Sequence, residues 1–310
     1  MLLQTELNNR LVEHPAGKLL GGSSAINGSL YLPPSPAGFD AWAQLGNVGW
    51  NWESMKPYIQ KTYTLHPPRL PSKAAGESTP RHENSASGPI QVVYGSPANS
   101  ADKTLVDAWN AAFQQNSYEC ITDFLAEQKT VSTRVYTAAI DPVSGQRSSA
   151  DTQYGALLAG RGNVTIMTGA TVQCILFEKT PQGTVRAIGV EVKVDGHLTT
   201  LEASREIIHA VGVFHSPRLL GLSGIGNPSW LHELGVHTLV DFPGVGENLQ
   251  NHIIAGLPVG LKPHPGIQGI TPGIKAFAFV SLDSEPKEKL WTTTDSAAED
   301  PQSSTIRSIL

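Results

Sequence analysis

A chain of 310 residues, 40% of them hydrophobic and 16% charged, is long enough to build one large or two ordinary domains around a buried core and reads as soluble and globular. Lys and Arg total 22 against 27 Asp and Glu, and the net charge of -5 is spread along the sequence, so no basic stripe marks a nucleic-acid partner. Only two cysteines occur, Cys120 and Cys174, each beside apolar residues, a usage that argues against a disulfide framework or a Cys/His metal site and for buried thiols.

The opening MLLQTELNNRLVEH carries charge where a signal peptide needs its apolar core, and no apolar run approaches the roughly 20 residues that span a bilayer. Next comes GKLLGGSSAING, Gly17 to Gly28. Gly21 and Gly22 lack a β-carbon and so permit positive φ and close approach of a ligand to the backbone, while Ser23 and Ser24 add hydroxyl donors. Such a strip suits a polyanionic or flat cofactor; it equally suits a glycine-rich turn that packs two elements closely. The prolines that follow forbid a long regular element until about Glu53, from which a short helix is predicted to Lys61. Residues 66–89 have the proline, serine and charge content of a mobile surface loop.

Leu105, Trp109, Ala112 and Phe113 recur at helical spacing and predict an amphipathic helix from Ala101 to Gln115, capped by Ser100. From Asn163 the runs NVTIMT, VQCILFE, VRAIGVEVKV and HLTTLEA, divided by GA, PQG and DG turn signals, predict an antiparallel strand cluster. REIIHAVG, Arg205 to Gly212, reads as a buried strand leading into a helix with Ser216 as N-cap and Pro217 at its first position. Gly224-Ile225-Gly226 and Gly244-Val245-Gly246 contain G-x-G without the third glycine of a dinucleotide fingerprint, and read as helix-ending and loop glycines. Beyond His252 the pattern decays, and the tail is predicted to be poorly ordered. The triplets at Asn163 and Asn27 that match a glycosylation acceptor are short enough to arise by chance. There is no H-E-x-x-H, no metal-ligand spacing and no G-x-S-x-G elbow, and the single carboxylates of GFDAW and PGVGEN read as fixing loops.

Gly17 to Asn27, followed by Tyr31, Pro34 and Asp40, resembles the first signature of the glucose-methanol-choline (GMC) flavoprotein oxidoreductases. GVFHSPRLLGLSGIG, Gly212 to Gly226, resembles their second signature, and DFPGVGENLQNH, Asp241 to His252, the loop after it. Weaker echoes are GFDAWAQLGNVGWNWESMKPY, RSSA at Arg147 to Ala150, and NVTIMTGATVQCILF. The similarity spans about residues 8 to 255; Val211 and Val213 depart from it where the family carries smaller residues.

The resemblance implies an α/β fold of α+β character: a partial FAD-binding domain over residues 1–255 with an antiparallel strand layer, residues 51–150 partly facing substrate, and the start of a substrate domain over 256–310. It implies FAD as cofactor, held by Gly21, Gly22, Ser23, Ser24, Asn27, Gly28, Ser29 and Leu30, the last four meeting the ribityl and flavin portion, with Val172 meeting the adenine through its backbone. The reaction implied is oxidation of an alcohol of a small metabolite to a carbonyl, the flavin taking hydride and a base the hydroxyl proton. No G-x-G-x-x-G unit is present, and none of the ten histidines, His215 and His252 included, matches the family's catalytic segment, so the catalytic residues stay unknown. As it stands the chain is therefore expected to hold FAD weakly and turn over little. Two alternatives stay open: a non-redox remnant or a partner pairing with a complete homologue, and a lyase or cyclase on the same scaffold. No metal site is implied, and localisation is not fixed by the sequence.

Overall fold

The computed structural model describes residues 2–4, 8–32, 34–66, 87–121, 131–252, 254, 258 and 260–280. They fall into two compact units, one within residues 1–161 and 261–310, the other within 162–260. Residues 67–86 of the loop predicted at 66–89, and residues 281–310 of the predicted tail, lie outside the described residues; His66 is in a strand instead.

The first unit opens with an antiparallel pair, β1 (Leu2–Gln4) and β2 (Arg10–Val12). Helix α1 (Pro36–Gln44) starts where Ser35 accepts from Gly38 N–H at 3.2 Å with Pro36 at the first position, and α2 (Trp52–Gln60) where Asn51 accepts from Ser54 N–H at 2.9 Å. Asp40 Oδ1 accepts from Trp52 N–H at 3.0 Å and ties the two helices, the loop-fixing role its isolation in the sequence implies. β3 (Tyr63–His66) lies parallel to β4 (Ile90–Tyr94), and β4 antiparallel to β6 (Thr137–Ala138). Tyr63, Val92 and Ala138 are the buried centre of this sheet. β5 (Ser132–Val135) pairs antiparallel with β12 (Ala276–Phe279).

α3 (Ser100–Gln115) forms as the apolar spacing requires, but its cap is Asn99, which accepts from Asp102 N–H at 2.9 Å; Ser100 is already helical. Its buried residues are Ala101, Asp102 and Val106 rather than the Trp109 turn. The Asp102 side chain, 0% exposed, accepts from Thr271 N–H (3.0 Å), Thr271 Oγ1 (2.6 Å), Lys275 Nζ (2.9 Å) and Ala98 N–H (3.2 Å). The Thr271 hydroxyl, foremost, holds its carboxyl well below the usual carboxylate range.

The second unit is organised by β7 (Ala170–Lys179), β8 (Val185–Val194) and β9 (His197–Glu202), antiparallel in that order. The predicted DG turn joins β8 to β9, with Asp195 at φ 49° and Gly196 at φ 86°. A short α4 (Ala156–Leu158) belongs to the first unit; α5 (His215–Leu222) and α6 (Pro228–Glu233) belong to the second, with the two-residue parallel pair β10 (Ile225–Gly226) and β11 (Val240–Asp241). Ser223 Oγ accepts from Ile175 N–H at 2.8 Å and donates to Leu219 O at 2.6 Å, binding α5 to β7.

Four expectations are corrected here. NVTIMT forms no strand: the ladder begins where Ala170 pairs with Val194, the last residue of β8, and among the described residues no strand pairs with residues 163–168 to continue it. REIIHAVG is also irregular, with Ile208 82% exposed, because among the described residues no neighbouring strand pairs with it. α5 begins at His215, with Phe214 as N-cap and no side-chain capping bond, so Ser216 lies inside it. Cys120 is exposed rather than buried, while Cys174 is half-buried and its thiol is pushed up by burial.

Candidate functional site

Gly21 and Gly22 adopt φ of 84° and 53°, the left-handed region that glycine enters without a steric cost. They bend the chain into a 3-10 turn, Gly22–Ala25. Gly22 N–H donates to Leu19 O at 3.0 Å and Asn27 N–H to Ser23 O at 3.0 Å. Ser24 Oγ donates to Gly21 O at 2.6 Å, which spends its hydrogen within the loop. Ser23 Oγ accepts from Gly17 N–H at 3.1 Å, so its hydrogen is left for another acceptor. The loop then runs into the sheet: Ala139 N–H donates to Ser29 O (2.7 Å), Tyr31 N–H to Thr137 O (2.9 Å), and Leu30 bridges Ala138.

Behind the loop stands Arg147 to Gly155. Ser148 and Ser149 are each 2% exposed, and the π-helical turn Asp151–Gly155 follows. Ala150 N–H donates to Ser24 Oγ at 3.0 Å. Arg147 Nη1 donates to Asn27 Oδ1 at 2.6 Å and to Ser24 O at 3.3 Å. The Asp151 carboxylate, accepting from Ser149 Oγ at 2.5 Å, lies where a β-carbon on Gly21 would stand. That serine hydroxyl is the first reason the Asp151 carboxyl sits below its ordinary range. Burial pushes the Tyr31 phenol up, partly offset by the Thr62 side chain.

The opposite face is open. Asn27 and Gly28 are exposed, and a β-carbon on Gly28 would meet nothing within 4 Å. Among the described residues the N–H groups of Gly28 and Leu30 have no intramolecular acceptor. The Ser23 hydroxyl and the Asn27 amide nitrogen are further donors of the same loop, and hydrogen-bond donors of this kind fit the carbonyl oxygens and ring nitrogens of a flavin. The structure thus brings Gly21, Gly22, Ser23, Ser24, Asn27, Gly28, Ser29 and Leu30 into one loop.

Val172 belongs to the other unit. It is half-buried in β7 opposite Val192, and a β-bulge separates it from Cys174. His215 is the first residue of α5 and His252 is exposed; nothing around either marks it as a catalytic base. Among the described residues no cluster of His, Cys, Asp or Glu is arranged to hold a metal, and no helix is long and apolar enough to cross a membrane. Gly224, at φ 84°, ends α5, and Gly246, at φ 83°, sits in a loop, the roles their motifs imply. Arg147 and Asp151 are the residues sequence reasoning does not single out. RSSA carries the only signal, as a string, and the contact of Arg147 with Asn27 spans 120 positions.

Residues 2–254 match the family model described as GMC oxidoreductase. Over 300 residues the chain is 30% identical to the GMC oxidoreductase family protein Mala s 12 of Malassezia sympodialis, an alignment covering 90% of this chain and 45% of that protein. Among solved structures, an FAD-dependent oxidoreductase from Chaetomium thermophilum superposes with a TM-score of 0.67 at 32% identity, covering 78% of this chain and 40% of that one. A fungal aryl-alcohol oxidase superposes with a TM-score of 0.62 at 30% identity, covering 74% and 38%. The chain spans a little under half the length of these relatives.

Proposed function

The chain belongs to the GMC oxidoreductase family, and from that premise we propose that it binds FAD along Gly21 to Leu30 and serves the oxidation of a small-molecule alcohol to a carbonyl. The observation that carries this reading is the one-sided loop: its outer face is open at Gly28 and presents N–H groups that nothing in the described protein uses. Buried or ligand-facing amides find acceptors, so donors without a partner in the protein, beside an uncrowded glycine, are where a cofactor rich in acceptors fits. When bound, FAD supplies the acceptor for the hydride of the alcohol carbon. The residues of this chain contribute binding and orientation: Asn27, Gly28, Ser29 and Leu30 toward the ribityl and flavin portion, and the Val172 backbone toward the adenine. The division into an FAD-binding part, residues 1–255, and the beginning of a substrate part, 256–310, belongs to the same proposal.

The test is to purify the chain, add FAD, remove the excess by gel filtration and record the flavin absorbance that remains with the protein. Flavin retained near one per chain supports the reading and justifies a screen of small alcohols. Protein that elutes without flavin overturns it for this chain on its own.

A second reading, pairing with a complete homologue, is favoured by residues 205–213 of the second unit. Ile208, Val211 and Val213 are exposed there on a stretch without ladder partners among the described residues, the kind of apolar edge that another strand covers. A stable monomer by light scattering, unchanged on mixing with a full-length homologue, overturns it.

A further inference from the structure

We propose that Arg147 is a positioning residue for the cofactor loop: it locks the Asn27 amide with its oxygen held by the guanidinium and by Ser29 N–H, so that the amide meets a ligand through its nitrogen, as a hydrogen-bond donor. Arg147 itself is well placed to hold another group still. Its backbone bridges Ile140, the next residue's N–H donates to Ala139 O at 2.9 Å, and Ser148 Oγ accepts from Gln91 N–H at 2.7 Å. From this fixed base the guanidinium reaches Asn27 Oδ1 at 2.6 Å and Ser24 O at 3.3 Å.

The second lone pair of Asn27 Oδ1 accepts from Ser29 N–H at 3.0 Å. A guanidinium and a backbone amide only donate, so an Asn27 amide turned the other way would set donor against donor at both contacts. One orientation survives, and in it both Nδ2 hydrogens of this exposed residue are left to donate elsewhere. The same bond supports Ser29 at φ 60°, a left-handed conformation that a residue with a side chain holds only when its surroundings enforce it. The guanidinium polarises the amide it touches, making the Nδ2 hydrogens better donors. That the ligand is a flavin rests on the FAD reading above; the locking of Asn27 does not.

The two parts are tested separately in the full chain. Without cofactor, hydrogen exchange of the peptide covering Ser24 to Leu30 is followed by mass spectrometry in the parent, Arg147→Met and Arg147→Lys. Losing a charge-assisted bond to Oδ1 is expected to speed exchange at Ser29 by about tenfold or more in Arg147→Met, with Arg147→Lys intermediate and the amides of β4 unchanged. Equal exchange in all three overturns the positioning role, and the lysine variant keeps the comparison alive if the methionine variant does not fold. With FAD added, Asn27→Asp keeps acceptors for Arg147 and Ser29 while removing the Nδ2 donors. It is expected to melt at or above the parent and to retain FAD about tenfold more weakly. Retention equal to the parent overturns the donor role of Asn27. A parent that retains no FAD refutes the cofactor reading, and the exchange experiment still decides whether Arg147 locks Asn27.

Discussion

Replacing Gly21 with alanine asks whether this glycine serves the loop or its ligand. At φ 84° the backbone alone costs a residue with a β-carbon about 1–2 kcal/mol. The new β-carbon would also overlap Asp151 Oδ1 and lie 2.9 Å from Asp151 Cγ, closer than β-carbons come to other atoms, with Asp151 Cβ tight at 3.1 Å. Asp151 is not free to swing aside, because Ser149 Oγ, on a residue 2% exposed, holds its carboxylate. The overlap therefore adds to the backbone cost. At about 2–4 °C per kcal/mol for a chain of this size, the melting temperature of the cofactor-free protein is expected to fall by at least about 2–8 °C. The assay is thermal melting followed by far-UV circular dichroism, run as a double-mutant cycle with Asp151→Ala, which removes the overlap and leaves the backbone cost. A Gly21→Ala protein that melts with the parent refutes the reasoning on strain, and additive effects across the cycle refute the contact with Asp151.

Gly28→Ala should behave in the opposite way: with open space around it and no positive φ, stability stays within about 0.5 kcal/mol of the parent, while FAD retained after gel filtration falls. Leu231, 1% exposed in the core of the second unit, is expected to cost about 2–5 kcal/mol as alanine, read from urea denaturation. The depressed pKa of Asp102 gives stability that is complete above the unfolded carboxyl value of about 3.9 and is lost as pH falls from there toward the lower folded value. An acid titration of stability should therefore slope downward below about pH 4, and Asp102→Asn should flatten that slope; an unchanged slope removes Asp102 as its source.

What the sequence discloses here is what short range decides. The Asp195-Gly196 turn and the positive φ of Gly21 and Gly22 each depend on a few neighbouring residues, and the residue types announce them, whereas α1 (Pro36–Gln44) forms where the prolines argue against a long element, because Pro36 sits at its first position and leaves no hydrogen bond broken. Residues 163–168 and 205–212 have the β-rich composition of strands, but a strand needs a partner across the ladder, and composition says nothing of who stands opposite. The same limit hides Ser216: serine before proline is a good cap signal, yet the chain reaches helical geometry at His215 first. At the site, the loop itself is legible from its glycines, whereas its backing is not, since Arg147 acts on a residue 120 positions away.

The division of labour within the loop follows from where its polar atoms are spent. Ser24 Oγ, Asn27 Oδ1 and the carbonyls of Gly21 and Ser24 are engaged by the loop and by residues 147–150. Among the described residues the N–H groups of Gly28 and Leu30 have no such partner, and the Asn27 nitrogen is left to donate because its oxygen is taken. The orientation of the Asn27 donor is thus set by consuming its acceptor, and the residue that sets it need not touch the ligand. Substitutions at Gly21, Arg147 and Asp151 should therefore register first in stability or exchange, and those at Gly28 in binding. Asn27, whose oxygen is taken by Arg147 and Ser29 and whose nitrogen is left to donate, is the position where an isosteric change separates the two.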